Sequence, residues 1–258
     1  TPLPSTMGLC RNWITSISGR WRKEDKSFTT DNDSQLTHVA STLEISGKDG
    51  QPVRPLYAVV PVKGGQDGFW VDAERFGIKR PKESDEGDTQ PQQLVLKNMN
   101  DSFCEFVLPF KDHPSMLYDY VNVHGNIRIG RILEELDKLA GAVAYRHCSD
   151  QDGRVGPITI VTASVDRIEL LKEITSNHNY RFSGKVCYVG ISSMEIYLKV
   201  ETLADASTEP KDLVLVAHFT MVAMNKAAQK TIQANPMTLL NDQQKRIFHL
   251  AEKLRQTK

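Results

Sequence analysis

The strongest periodicity in the chain runs from residue 129 to 147. Ile129, Ile132, Leu133, Leu136, Ala140, Val143 and Ala144 recur at three- and four-residue spacing, and Arg131, Glu134, Glu135 and Lys138 take the other side. This pattern predicts an amphipathic helix, about 28 Å long at the usual rise. Ahead of it, residues 102–110 (SFCEFVLPF) predict a strand whose exit is fixed by Pro109 and Pro114. Behind it, residues 158–168 (ITIVTASVDRI) are β-branched and predict a second strand. Residues 184–202 predict two more, broken at Gly190. In the later piece Met194, Ile196, Leu198 and Val200 alternate with Glu195, Tyr197 and Lys199, as in a sheet with one wet face. Residues 213–224 (LVLVAHFTMVAM) predict a strand buried on both sides, and residues 241–256 a terminal helix capped by Asn241 or Asp242. A strand, one long helix and then several long antiparallel strands is an α+β pattern. A sheet wrapped around the helix is the economical way to bury it.

The remaining chain divides by composition. Residues 1–35 are polar and aperiodic and read as a flexible leader. The basic residues Arg11, Arg20, Arg22, Lys23 and Lys26 within it suit either the remainder of a mitochondrial presequence or a plain basic leader. Residues 36–93 read as an accessory arm and linker. Their short apolar runs are broken by glycines at 47–50 and 64–68, and the charged stretch 79–93 (KRPKESDEGDTQPQQ) reads as solvent-exposed linker. Residues 94–228 hold the main domain, and 229–258 a C-terminal linker and helix.

Composition narrows the classes. Lysine plus arginine and aspartate plus glutamate both number 32, so the formal charge is zero, unlike the basic surface of a general nucleic-acid binder. No apolar run approaches the roughly 18 residues of a membrane span. Cys10, Cys104, Cys148 and Cys187 are far apart and form no C-x-x-C pair, which points away from a zinc site or a disulfide framework. No metal or organic cofactor is expected.

One residue breaks the helix pattern chemically. Asp137 is an acid in the middle of a core-seeking stretch, and a buried carboxylate is costly unless paired or hydrogen-bonded. Such groups are often used chemically, although a half-exposed surface acid beside Glu134 and Glu135 is the plain alternative. His124 in N-V-H-G is a weaker candidate. His147 and Cys148 at the helix end read as packing and dipole complement, and His218 as a satisfied core histidine. Arg128, Arg131, Arg146, Lys185 and Lys199 are the basic residues open to phosphate recognition.

The stretches GNIRIGRILEELDKLAGAVAYRHC, ITIVTASVDRI and YVGISSMEIYLKVE, in that order, resemble the three signature segments of hotdog-fold acyl-CoA thioesterases. The mitochondrial branch is the nearest likeness, since it also carries DSF-x-E-F-x-LPF ahead of the helix. The likeness covers about residues 100–226. It implies a hotdog fold, an acyl-CoA substrate and one active site shared between two hotdogs. Family members carry two hotdogs in tandem, so this chain is expected to be either a fragment or a unit that pairs with a second copy. By this resemblance the catalytic positions are Asn126, Asp137 and Gly130, and the CoA contacts are Ala163, Ser164, Val165, Ser192, Ser193 and Met194. A mitochondrial matrix location is implied, with a cytoplasmic one left open.

Counting along the helix, Asn126 and Asp137 share a face but stand roughly 16 Å apart, too far to meet one thioester. Two such helices, antiparallel across a two-fold axis, would bring Asn126 of one near Asp137 of the other. Asn126 also suits a helix N-cap. Two other readings stay open. The chain is a non-catalytic hotdog half that binds acyl-CoA or dimerises, or it is a hotdog dehydratase that uses His124.

Overall fold

The computed structural model describes residues 76–79, 94–204, 210–225 and 228–256. In chain order the elements are β1 (Lys97–Asn98), β2 (Cys104–Leu108), α1 (Ile129–Cys148), β3 (Ile158–Leu170), β4 (Tyr180–Val189), β5 (Ser193–Leu203), β6 (Pro210–Asn225), β7 (Met237–Thr238) and α2 (Asp242–Gln256). Short 3-10 helices occupy Met99–Ser102 and Pro114–Asp119. Five strands form one antiparallel sheet in the order β2-β4-β5-β6-β3. Both β2 and β3 are edges. The leader and nearly all of the accessory arm and linker lie outside the described residues.

α1 lies across one face of this sheet. Ile132, Leu136, Leu139, Ala140, Val143 and Ala144 are buried against Phe182, Val186, Ile196, Leu198, Val200, Ala217 and Phe219. Each large side chain buried this way is worth about 1.5–3 kcal/mol. Gly184 on β4 lets the layers close. A Cβ there would stand 3.1 Å from the Tyr197 carbonyl oxygen and 3.5 Å from Val143, and would collide with Leu198.

The other face differs from the expectation. Glu195, Tyr197, Lys199 and Glu201 on β5 are buried, not wet. Their charges are answered within the sheet. Lys199 donates to Glu201 at 2.7 Å, and Arg181 on β4 reaches Glu201 at 2.8 Å and Glu105 on β2 at 3.9 Å. α2 supplies apolar cover at one end, where Ile247 and Ala251 cluster with Met99, Cys187, Tyr197 and Val216. β6 is continuously buried only from Val214 to Ala217 and alternates beyond. His218 is accordingly half-buried and meets the Tyr197 ring edge-on at 5.2 Å.

Two segments outside the central sheet are tied to it. Ile78 is fully buried in the core, and Lys79 exchanges main-chain bonds with Gly153 and Val155. Structure thus reaches into the first residue of the stretch read as linker. After β6 the chain returns across the end of α1. His147 bonds the Asn235 carbonyl oxygen through Nε2 at 2.7 Å, and Asn235 Nδ2 donates to the carbonyls of His147 and Ser149. β7 then pairs in parallel with β1. Burial pushes the His147 pKa down to about 4, so the ring is neutral near pH 7 and acts as a packed hydrogen-bonding group rather than a charge on the helix dipole.

Candidate active site

Asp137 sits halfway along α1, and β3 passes beside it. It is half-buried, and its Oδ1 accepts a 2.9 Å hydrogen bond from Thr162 Oγ1 on β3. Desolvation raises its pKa, opposed by the Thr162 hydroxyl and the Lys138 charge. A carboxylate lifted this way and held by one donor keeps its second oxygen available as a proton acceptor. β3 is irregular at this point. Its register against β6 shifts between Thr162 and Ser164, which leaves Ala163 exposed on a bulge, and shifts again between Val165 and Arg167. Bulges of this kind re-aim side chains along an edge strand.

The loop before α1 forms the second part. Val121 and Ile127 pair as an antiparallel bridge, and Gly125 turns the loop with φ +80°. Asn122 Oδ1 accepts from the backbone N–H groups of His124 at 2.9 Å and Asn126 at 3.1 Å. Tyr120 anchors the loop to the helix by donating to Glu135 at 3.1 Å. Asn126 therefore stands in the loop and is not an N-cap. The cap is Arg128, whose side chain makes no capping bond and instead donates to the Asp119 carbonyl oxygen. Periodicity along the helix consequently does not place Asn126 on the face of Asp137. Gly130 lies in the first turn of α1 with no atom within 4 Å of where a Cβ would stand. First-turn N–H groups lack intrahelical partners and carry the positive end of the helix dipole. Gly130 and Asp137 are seven residues apart, about 10 Å along the axis.

The other sequence-predicted positions scatter. Ser164 donates to Asp166 at 2.7 Å on the β3 edge. Ser192 and Ser193 are half-buried at the turn between β4 and β5, where Gly190 N–H donates to the Ser193 carbonyl oxygen at 2.8 Å. Ser164 pairs with Thr220 and Ser193 with Val222, so one strand separates them. Met194 is fully buried between the sheet and the end of α1, its Sδ 3.7 Å from Cys148 Sγ, and offers no surface to a ligand. Among the basic candidates, Lys185 and Lys199 are buried, Arg131 is paired with Glu134, and Arg146 donates to the Asp101 carbonyl oxygen. One chain thus joins Asp137 to Thr162 but not to Gly130 or Asn126.

Thr162 and Asn122 escaped the sequence reading. Thr162 lies within VTASVDRI, directly before Ala163, and no sequence signal marks it, because its pairing with Asp137 joins residues 25 apart. Among the described residues no group of three or more His, Cys, Asp or Glu side chains is placed to hold a metal, and no helix is long and apolar enough to cross a membrane.

Comparison with known proteins places this architecture. No protein-family model matches the chain. The acyl-coenzyme A thioesterase 4 of Humulus lupulus, named as mitochondrial, is 36% identical over 161 residues, which is 62% of this chain and 31% of that protein. The chain therefore spans about a third of the length of that relative. The acyl-CoA hydrolase of Staphylococcus aureus, solved with butyryl-CoA, CoA and CoA disulfide, superposes with a TM-score of 0.51 at 21% identity, covering 63% of this chain and 92% of that one. An apo-hexameric acyl-CoA thioesterase superposes with a TM-score of 0.52 at 22% identity, covering 64% and 95%. The sheet wrapped on α1 is the hotdog fold, and over 62% of its length the chain is similar to an acyl-coenzyme A thioesterase.

Proposed function

We propose that the chain hydrolyses acyl-CoA to a free acid and CoA, at a site completed by a second hotdog. The observation that carries this reading is Asp137, a desolvated carboxylate held by Thr162 beside a sheet edge with no partner strand among the described residues, in a chain similar to acyl-CoA thioesterases. Asp137 serves as general base on the attacking water. The Gly130 N–H of the facing α1 stabilises the oxyanion, and the Asn126 carboxamide orients water or carbonyl. Antiparallel pairing of two α1 helices across a two-fold axis supplies both halves twice. The edge of β3, which has no partner strand among the described residues, and the half-buried Leu133, Ile160, Val165 and Ile168 are the surface for that pairing. The hexameric neighbour supports assembly of this kind, and the name of the Humulus lupulus relative supports a mitochondrial location.

Asn122 is a second reading of the orienting amide. Its Oδ1 is fixed by two backbone donors, which leaves its Nδ2 hydrogens pre-aimed and unspent among the described residues.

The test is thiol release from short- to long-chain acyl-CoAs, with wild type and Asp137→Ala side by side. Turnover in the wild type, lost by about 10²-fold or more in the variant with CoA binding retained, supports the reading. The span of about a third of its relative also allows a non-catalytic half that needs another domain. CoA binding with no turnover on any chain length would favour that half.

A further inference from the structure

Arg255 is a charged group that the proposed chemistry leaves unused. It lies near the end of α2, and its guanidinium stacks over the Tyr188 ring at 5.4 Å while Nη1 donates to the Tyr188 hydroxyl at 3.3 Å. Tyr188 is braced in turn by Phe248 of the same helix, with ring centroids 4.8 Å apart. No carboxylate among the described residues pairs with Arg255. A guanidinium stacked on an aromatic ring still has edge donors beyond the one spent on the Tyr188 hydroxyl.

The surroundings explain Gly190. Its φ is not in the left-handed region, so the backbone does not require glycine. A Cβ there would stand 2.5 Å from Arg255 Nη1 and 2.8 Å from Ser193 Oγ. Gly190 is therefore a cradle that brings a guanidinium and a serine hydroxyl to the same turn. The Ser193 hydroxyl has no partner among the described residues. A guanidinium held on a ring, with no carboxylate partner among the described residues and a serine hydroxyl beside it, suits a phosphate oxygen.

The turn is also within reach of the reacting centre. Thr162 pairs with Met221, and Met221 with Met194, so Ser193 adjoins a position two strands from Thr162, about 10 Å across the sheet. It lies where β4 passes into β5, at the end of the sheet. An extended arm can round the strand ends there, from the α1 face to the α2 face.

We infer that Arg255 and Ser193 bind a phosphate group of CoA, making α2 part of the substrate site. This rests on the proposed acyl-CoA chemistry but is tested by binding alone. CoA, dephospho-CoA and inorganic phosphate are titrated calorimetrically into wild type, Arg255→Gln, Arg255→Lys and Ser193→Ala. The expected result is CoA affinity weakened about tenfold in Arg255→Gln, less in Ser193→Ala, and partly restored in Arg255→Lys. If dephospho-CoA loses as much as CoA, the diphosphate is the ligand. If only CoA loses, the 3′-phosphate is. An effect on inorganic phosphate alone, or unchanged CoA affinity in Arg255→Gln, overturns the inference. Hydrolysis that continues with unchanged affinity removes this site and leaves the proposed function standing. Weakened CoA binding without any hydrolysis does the reverse.

Discussion

At the residue scale, the proposed chemistry turns on what holds Asp137. A general base acts only when ionised, so activity should be present above its pKa and fall as pH drops through it. Burial moves that pKa up, and the Thr162 hydroxyl moves it back down. In Thr162→Val the hydroxyl is lost, so the acid limb of kcat/KM should shift to higher pH while KM at the alkaline plateau changes little. A pH–rate profile of both proteins checks this, and a limb that stays in place or moves to lower pH contradicts the assigned role. The half-burial of Asp137 was legible in the sequence because it is the acid that interrupts an apolar stripe. Thr162 was not, because its partnership spans 25 residues and depends on which edge strand lies beside the helix. The cap reading of Asn126 failed for a local reason. The Asn122 side chain turns the loop, so the helix opens later, at Ile129, behind Arg128.

At the element scale, periodicity specified the long elements well. α1 begins at Ile129 as its pattern predicts and runs one residue past the expected end, and the break at Gly190 separates β4 from β5. Alternation misjudged one face, because it reports which residues are polar and not whether their charges are paired. Lys199, Glu201, Arg181 and Glu105 look solvated one strand at a time, yet they neutralise one another across three strands. The clamp between the end of α1 and residue 235 was invisible for the same reason, since it joins segments 88 residues apart. It carries a consequence for stability. The His147 pKa is about 4 in the folded chain against an ordinary 6.5, so its contribution is fully present above pH 6.5 and is lost as pH falls through that range toward 4. The loss is on the order of 3 kcal/mol. Glu105, lifted to about 6 mainly by burial, has the opposite sign, so a comparison isolates the histidine. His147→Gln keeps a neutral donor, and in urea unfolding it should lose less stability than wild type between pH 7 and pH 4. Equal losses in both proteins contradict the clamp.

At the scale of the whole molecule, the proposed mechanism takes each half of one site from a different hotdog. Gly130 and Asp137 lie on one helix about 10 Å apart, so the proposed site, which uses both on one thioester, draws them from two copies. Two variants separate the halves. Gly130→Pro removes the N–H at a first-turn position where proline is tolerated, whereas Gly130→Ala keeps the N–H and has open space for its methyl group. The alanine variant should stay close to wild type, and the proline variant should lose about 10²–10³-fold in kcat. The most direct test mixes Gly130→Pro with Asp137→Ala after the pairs have been dissociated and allowed to reform. If one site draws on two hotdogs, mixed pairs contain one intact site, and two inactive proteins should regain about a quarter of wild-type thiol release at equal mixing. A mixture that exchanges subunits and stays inactive would contradict a shared site.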